Sequence, residues 1–468
     1  MEKLRPLGRW LTGCLCVASL HTGAREQNVS AERLMQQQEL PSLNGRAALT
    51  QAAMAPTSLK LEQAVNRAVS WHPSIQEAVS RLYQQSEQVD VALAKYYPQI
   101  EGGVNGGYTN SYSDSGFSPS LSLSLSQMLY DFGKVDSQVR AERAGVAQEQ
   151  ANLLVAIDDV VRDTAMAIVQ VQTWQQMVET AQAQLAALTD IGRLTQQRHS
   201  EGAATLSDVV QTESRIEGAR AQLTQYQASL DSARATLMAY LGWDSLNEVD
   251  NGFSDAFSRA CDSAEPDYRQ VPSVLAAWAQ ANVAQARLDN ANAQMTPTVS
   301  LEPEVRHYLN DRYVNSETLD RTQYSAWVKV SMPIYQGGGL TASRNAAGHA
   351  VEAARAAVQR ARLDARQKLT DAYSQSLNLT NTLQTLTRQQ ALTERTRDLY
   401  QEQYLNLGNR PLLDVLNAQQ EVFQSRFSLQ QTRSQLHQLR LQCLYYTGKL
   451  RNAFKLENRN IQSVEIRP

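Results

Sequence analysis

Two short passages of the chain resemble each other although they lie far apart. His199 to Val210 reads HSEGAATLSDVV, and Asn406 to Leu416 reads NLGNRPLLDVL. In each passage a glycine stands six residues before an Asp-Val pair, and the matching glycines and aspartates are both separated by 206 residues. A constant spacing between matching residues predicts that the chain contains a duplicated unit.

The duplication extends beyond these two passages. Two copies of about 200 residues are too long to be the repeats of a solenoid, which span roughly 20–50 residues. We therefore predict two tandem repeats, at residues 58–245 and 269–450, joined by a linker at residues 246–268. The further matches, in chain order, are His72-Pro73 with Val271-Pro272, Tyr97-Pro98 with Thr296-Pro297, Tyr130 with Tyr335, and Gly242 with Gly448.

Each predicted repeat contains a pair of β-strands in which apolar and polar residues alternate. The clearest case is SLSLSLSQML at residues 120–129, where leucine and serine take turns. Strands of about ten residues with one apolar face are typical of a transmembrane barrel, and a soluble sandwich with one wet face alternates in the same way. Four strands cannot enclose a lumen, so a barrel would require several chains. The predicted strands cover about residues 99–108, 119–129, 298–308 and 323–335.

A helix precedes each strand pair, the first from about Leu59 to Tyr96, and a much longer helical hairpin follows each pair. The first arm of each hairpin spans roughly 100 Å at 1.5 Å per residue. In the first hairpin, apolar residues from Trp174 to Leu188 recur at steps of four and three, as in a coiled-coil seam. The fold class is therefore mainly α with a small β part. The predicted helices of the hairpins are about residues 134–200 and 206–241, and about residues 340–407 and 412–446.

The two similar passages lie at the tips of these predicted hairpins. Gly202 and Gly408 stand where a helix C-terminus favours a left-handed residue. Thr205 can cap the next helix, with Asp208 three residues on completing a capping-box variant. Pro411 suits the first turn of the corresponding helix in the second copy. Capping of this kind explains the similarity of the tips without requiring a functional role.

The N-terminus has the features of a secretory signal peptide. Lys3, Arg5 and Arg9 precede an apolar run at residues 10–20 and a group of small residues, which predicts a signal at residues 1–24. The chain would then be exported.

The segments on either side of the repeats are polar. Residues 25–57 are Gln-rich without periodicity and are predicted to form a flexible start of the mature chain, and residues 451–468 a polar C-terminal tail. The sequence LTGC, which ends at Cys14, resembles a lipobox. Lipidation of Cys14 is therefore an alternative to cleavage of the signal peptide after residue 24. After the signal, no apolar run approaches the roughly 18 residues of a membrane-spanning helix, so membrane insertion would have to use strands.

The remaining chemistry of the chain excludes several classes of protein. Cys261 and Cys443 lie outside the signal and either form a disulfide in the exported protein or remain two buried thiols. Six scattered histidines show no metal-ligand spacing, so we predict no catalytic, metal or cofactor site and no enzyme. A net charge of −3, from 44 basic and 47 acidic residues, excludes the basic surface of a nucleic-acid-binding protein.

From about residue 59 to residue 450 the chain resembles the TolC-type outer-membrane factors, the outer membrane efflux protein family. The resemblance lies in the two repeats and in the order of YPQI and TPTV before the strands, QMLYDFGK and MPIYQGGG after them, and the two tip passages. It implies a homotrimer in the outer-membrane lipid of a Gram-negative bacterium, in which four strands per chain form one 12-stranded barrel above an α-helical tunnel through the periplasm. It also implies a periplasmic adaptor (membrane fusion protein) and an inner-membrane transporter of the ABC or RND type as partners.

The same resemblance implies that the hairpin tips form the periplasmic aperture of the duct. Arg410 is expected to reach an acidic residue of the neighbouring hairpin, Asp208, and to hold the aperture closed. Asp414 is expected to add a ring of carboxylates that favours cations, although Asn417 stands where the family often has a second acid. The expected contacts with the adaptor are Gly202, Thr205, Gly408 and Pro411.

The predicted function is the exit duct of a tripartite export system, opened by an iris-like movement of the tips. LYDFGK and the poor lipobox favour type I protein secretion, for example of a large adhesin, over drug efflux through a lipoprotein duct. A periplasmic coiled-coil adaptor is the alternative from another class. Adaptors usually have one hairpin flanked by β-rich domains, whereas this sequence predicts two hairpins and two strand pairs.

Overall fold

A computed structural model describes residues 56–109, 116–253, 257–261, 268–311, 313, 316 and 318–466. The predicted signal peptide, Cys14 and nearly all of the predicted flexible N-terminal segment lie outside the described residues. The described part is mainly helical with a small β part, as the sequence predicts. Among its helices, none is both long enough and apolar enough to cross a membrane.

The first half of the chain forms two short helices, a strand pair and a long helical hairpin. Pro73 interrupts the single helix predicted before the strands, because a proline lacks the backbone donor and disfavours a helical conformation in the residue before it. At the break, Nδ1 of His72 accepts a hydrogen bond from the backbone N–H of Ser74 (3.3 Å) and caps the second helix. The elements are β1 (Ser58–Leu59), α1 (Leu61–Trp71), α2 (Pro73–Leu93), a 3-10 turn (Ala94–Tyr96), β2 (Gln99–Thr109), β3 (Gly116–Tyr130), α3 (Lys134–Ser200), α4 (Leu206–Leu241) and β4 (Glu248–Val249).

The second half contains a helix, a strand pair and a helical hairpin in the same order. Its second strand ends at Ser331, earlier than predicted, and Pro333 follows without an N–H to continue the ladder. Its long helix ends in a five-residue π-helical turn before Gly408, which the sequence did not predict. The elements are α5 (Pro272–Ala293), β5 (Thr298–Tyr308), β6 (Thr322–Ser331), α6 (Gly339–Glu402), the π turn (Gln403–Leu407), α7 (Leu412–Tyr446), α8 (Leu450–Ala453), β7 (Arg459–Ile461) and β8 (Val464–Ile466).

The LYDFGK motif turns the chain from β3 into α3. Gly133 has a φ of 90°, which a residue without a side chain adopts at low cost. The buried carboxylate of Asp131 accepts hydrogen bonds from the backbone N–H groups of Gly133 (3.0 Å) and Val135 (2.6 Å). These bonds satisfy donors at the start of α3, so the motif has a structural explanation that is independent of the substrate.

The four long strands form one antiparallel sheet in the order β2-β3-β5-β6. Directly opposed residues lie on the same face, and the pairs Val104 with Leu121, Leu123 with Val305, and Val305 with Tyr324 define its apolar face. This face is exposed, with Val104 and Tyr324 each 77% accessible and Leu123 55% accessible. A soluble sandwich would bury such a face against a second sheet, so the structure does not favour that alternative.

The opposite face of the sheet is polar. Ser124 on β3 is in register with Glu101 on β2 and with Glu304 on β5. Arg306 donates a hydrogen bond to the Glu304 carboxylate at 2.6 Å. Within the described chain, β2 and β6 are each hydrogen-bonded on one side only, so both edges of the sheet are free to pair with other strands.

The main core lies where α1, the middle of α3 and the C-terminal segment meet. Ile157 of α3 and Leu237 of α4 are fully buried there. Leu450, Ile461 and Ile466 are buried in the same cluster, each no more than 4% exposed. The residues predicted to be a polar tail therefore belong to the core as far as residue 466, because their few apolar side chains all point inward.

An ion pair lies inside this core. Nη1 of Arg451 on α8 donates to Oδ2 of Asp158 on α3 at 2.8 Å, and the two side chains are 10% and 0% exposed. Burial raises the pKa of Asp158 to about 7, against the opposing effect of the Arg451 charge. The pair holds the C-terminal segment onto α3.

Cys261 and Cys443 form a disulfide with a Cα–Cα distance of 5.3 Å. The bond joins the segment between the two halves to α7, and both cysteines are buried beside Leu369 and Leu439. Of the two alternatives that the sequence leaves open, the structure selects the disulfide.

Replacing both Cys261 and Cys443 by alanine is expected to lower the free energy of unfolding by about 2–4 kcal/mol. The cross-link closes a loop of 182 residues, and its loss gives the unfolded chain more conformational freedom. The measurement is the urea midpoint of the purified protein, with and without a reducing agent. The reducing agent should lower the midpoint of the wild type alone, and an equal decrease in the double variant would contradict the prediction.

Candidate functional site at the hairpin tips

The tip of the first hairpin begins with a left-handed glycine. Gly202 has a φ of 76°, and its N–H bonds to the carbonyl of His199 at 3.0 Å. The N–H of Ala203 bonds to the carbonyl of Arg198 at 2.7 Å. This pair of bonds is the Schellman arrangement, which satisfies carbonyls at the end of α3 and confirms the predicted role of the glycine.

Thr205 and Asp208 form the predicted capping box at the start of α4. Oγ1 of Thr205 accepts the backbone N–H of Asp208 (3.2 Å), and Oδ2 of Asp208 accepts both the N–H (3.0 Å) and the hydroxyl (2.8 Å) of Thr205. The Asp208 carboxylate is therefore used within its own tip, where it also faces the positive end of the α4 dipole.

The second tip is built around Arg410. Gly408 has a φ of 64° after the π turn, and Pro411 precedes the first residue of α7. The Arg410 guanidinium donates to Oε1 of Gln403 (3.1 Å) and to Oδ2 of Asp414 (3.0 Å). It also lies 4.1 Å from the ring centroid of Tyr400, a cation–π distance. Arg410 thus joins the π turn to the first turn of α7.

The expected contact between Arg410 and Asp208 is not found within the described chain. Asp414 lies one helical turn from Arg410, so the side chains of these two residues meet without crossing to the other hairpin. The Asp208 carboxylate already accepts two hydrogen bonds from Thr205. Both partners of the Arg410–Asp414 pair remain about one-third exposed, so the pair can be broken by a movement of the tip at modest cost.

Two contacts that the sequence did not predict join the two hairpins within the chain. The Arg198 guanidinium, at the end of α3, lies 4.7 Å from the ring centroid of Tyr404 in the π turn. Tyr404 is 8% exposed, and burial raises the pKa of its hydroxyl. Arg215 on α4 donates to Oδ1 of Asn417 (3.3 Å) and to Oε1 of Gln420, both on α7. No local pattern signals contacts between residues about 200 positions apart.

Asn417 is therefore placed in a contact between hairpins. Its side chain is exposed and accepts a hydrogen bond from Arg215, while Asp414 one turn nearer the tip pairs with Arg410. Asp414 and Asn417 of α7 therefore each lie beside an arginine, Arg410 of the tip and Arg215 of α4. This balance of charge argues against a purely anionic surface at the tips.

The four residues predicted to contact an adaptor, Gly202, Thr205, Gly408 and Pro411, are all exposed. Large apolar side chains surround them, and the sequence pattern did not single these out. They are Leu206, Val210, Leu405, Leu407 and Leu413, which are 39–65% exposed. Exposed apolar side chains concentrated at one place on a surface are typical of a protein–protein contact. In the described part of the chain, no cluster of histidine, cysteine and carboxylate side chains could hold a metal ion.

The chain is similar to known outer-membrane proteins over most of its length. The family described as "Outer membrane efflux protein" matches the chain twice, at residues 64–243 and at residues 269–448. The outer membrane efflux protein BepC of Brucella suis is 26% identical over 423 residues, which cover 87% of this chain and 89% of BepC. The outer membrane protein TolC of Vibrio cholerae is 23% identical, over 83% of this chain and 90% of TolC.

The fold is similar to that of solved outer-membrane proteins. The crystal structure of VceC from Vibrio cholerae superimposes with a TM-score of 0.72 at 19% sequence identity. The superposition covers 83% of this chain and 96% of VceC.

Proposed function

Because this chain belongs to the outer membrane efflux protein family, we propose that it is the exit duct of a tripartite export system and that its hairpin tips form a gated entrance. The family consists of channels of the Gram-negative outer membrane that extend into the periplasm. The chain is accordingly an outer-membrane efflux channel and not an enzyme. An adaptor and an inner-membrane transporter are its partners.

The sheet supports a trimeric barrel. Its apolar face is exposed and spans all four strands, as expected of a surface that meets lipid. Its edge strands, β2 and β6, lack partners within the described chain. An edge strand presents unpaired backbone N–H and C=O groups, which favour pairing with a strand of another chain. Pairing β6 of one copy with β2 of the next closes the sheet, and three copies supply 12 strands in all.

The helical part supports association of the same kind. Leu363, Leu377, Leu392 and Leu399 are exposed along α6 at spacings close to multiples of seven, which brings them onto one side of the helix. On the other hairpin, α3 and α4 enclose a groove of about 720 Å³, with Met166 and Trp174 in its wall. In the proposed tunnel, exposed leucines of α6 in one copy pack against this groove in the next copy.

We assign proteins exported by a type I system as the substrate class, supported by the poor lipobox around Cys14. Small-molecule efflux is the second candidate, favoured by the description of BepC as an efflux protein. In a strain that lacks the gene, loss of a secreted large adhesin with unchanged drug susceptibility supports protein export. Increased drug susceptibility with normal secretion of the adhesin supports small-molecule efflux.

The proposed duct is tested by single-channel recording of the detergent-extracted protein in planar lipid bilayers. The wild type is expected to show rare or small openings, because its tips hold the entrance closed. A complete lack of channels in properly folded protein would overturn the proposal.

Arg410→Ser and Asp414→Asn should both increase the open fraction, because each removes the same ion pair from the tip. A pair whose two partners are about one-third exposed is worth up to about 1 kcal/mol, or roughly fivefold in the equilibrium between closed and open tips per chain. Their effects on selectivity should be opposite, since Arg410→Ser exposes a carboxylate and raises cation over anion permeability, whereas Asp414→Asn lowers it.

The matched control for this pair of variants is Arg193→Ser. Arg193 pairs with Asp190 on the exposed surface of α3, about two turns before the end of that helix, and takes no part in the tip contacts described above. Its substitution should leave the recordings unchanged. An unaltered open fraction in both tip variants would show that Arg410 does not take part in gating.

A further inference from the structure

Arg215 connects the two hairpins at a level above the tips. It lies on α4 about two and a half turns from the first helical residue, and it is half-buried. Its guanidinium donates to the side-chain oxygens of Asn417 and Gln420, which lie one turn apart on α7. One long side chain thus bridges the returning helices of both hairpins in the same chain.

A small cavity interrupts the packing beside this bridge, although Ala219 and Leu416 belong to a buried apolar cluster. The cavity has a volume of about 170 Å³ and is lined by Gly218 and Ala219 of α4 and by Leu416 of α7. Small residues on α4 leave a gap that the Arg215 side chain crosses. The polar bridge therefore contributes to holding α4 against α7 where close apolar packing is incomplete.

The chemistry of the bridge suits a contact that must open. Both acceptors are neutral amides, and an arginine binds an amide less strongly than a carboxylate. Asn417 and Gln420 are exposed, so water can replace the bridge when the helices separate. By contrast, Arg451 inside the core is paired with a buried carboxylate.

We propose that Arg215 is a second gating residue, which clasps α4 to α7 in the closed entrance and releases them when the hairpins move apart. The proposal rests on the proposed function, because only a gated channel would respond to loss of the clasp. It places a closing contact within each chain, in addition to the Arg410–Asp414 pair at the tip.

Two variants alter the clasp in opposite directions. Arg215→Gln removes the charge and shortens the side chain, and single-channel recording should show a roughly tenfold rise in the open fraction per chain, the effect of one lost hydrogen bond to a charged group. Asn417→Asp replaces the neutral acceptor by a carboxylate and should lower the open fraction below that of the wild type. A merely destabilised tip would not become more closed.

The control variant is Arg220→Gln. Arg220 lies on the same helix but pairs with Glu217 of α4 itself, on the exposed surface, so its substitution should not alter gating. If Arg215→Gln matches the wild type, or if Asn417→Asp opens the channel, the clasp is not a gate, even where Arg410→Ser still opens it. If no variant and no wild type forms a channel, the proposed function itself fails, and the clasp loses its role with it.

Discussion

Replacing Leu123 by arginine is expected to remove the protein from the outer-membrane fraction of cells. Leu123 lies midway along β3 on the apolar face of the sheet, opposite Gly102 and Val305, and it is 55% exposed. An arginine on a lipid-facing surface near the middle of the bilayer costs about 2–4 kcal/mol per chain. The measurement is the amount of the protein in purified outer membranes.

Ser124→Arg is the matched control for this substitution. Ser124 is the next residue along β3 and lies on the polar face, in register with Glu101 and Glu304. An arginine there has carboxylates beside it and should be tolerated. Normal insertion of Leu123→Arg, or equal loss of both variants, would contradict the assignment of the apolar face to lipid.

Replacing Arg451 by methionine is expected to lower the free energy of unfolding by about 3–5 kcal/mol. The substitution leaves the Asp158 carboxylate buried without a partner. The double variant Asp158→Leu/Arg451→Met removes both charges and should regain most of the lost stability, since apolar residues can replace a buried ion pair. Urea unfolding in detergent, followed by circular dichroism, measures all three proteins.

The same ion pair predicts a dependence on pH. Burial raises the pKa of Asp158 to about 7 in the folded protein, above the value of about 3.9 for an unfolded chain. The stability that the protonated carboxyl contributes is present at low pH and is lost as the pH rises through 7. Without the Arg451 charge the pKa should rise further, so the deficit of Arg451→Met should be larger at about pH 8 than at about pH 5. A deficit independent of pH would indicate that lost packing, not charge, is responsible.

The local features of the fold follow from the sequence to within a few residues. α3 and α4 begin and end where the sequence places them, because Gly133, Gly202 and the Thr205 capping box act on neighbouring residues. The strands follow from alternation, and their ends differ by only a few residues from the predicted ones. Pro73 was the local signal that the prediction of one long first helix overlooked.

The contacts at the candidate site were less predictable. Arg410 was assigned a partner in the other hairpin, whereas within the chain it bonds to Asp414, one turn away. Arg215 and Tyr404 had no sequence signal, because their partners lie about 200 residues distant and no periodicity reports a side-chain pair of that kind.

The sequence by itself determined the order of the long strands and of the hairpin helices, the hairpin tips and the alternating faces of the strands. These properties depend on helical and strand periodicity and on capping, which act over a few residues. Only the tertiary structure decided that Cys261 bonds to Cys443, that residues 450–466 belong to the core, and which acceptors Arg215 and Arg410 bind. Such choices depend on how distant elements pack, since a side chain bonds to whichever partner the fold brings within about 3 Å.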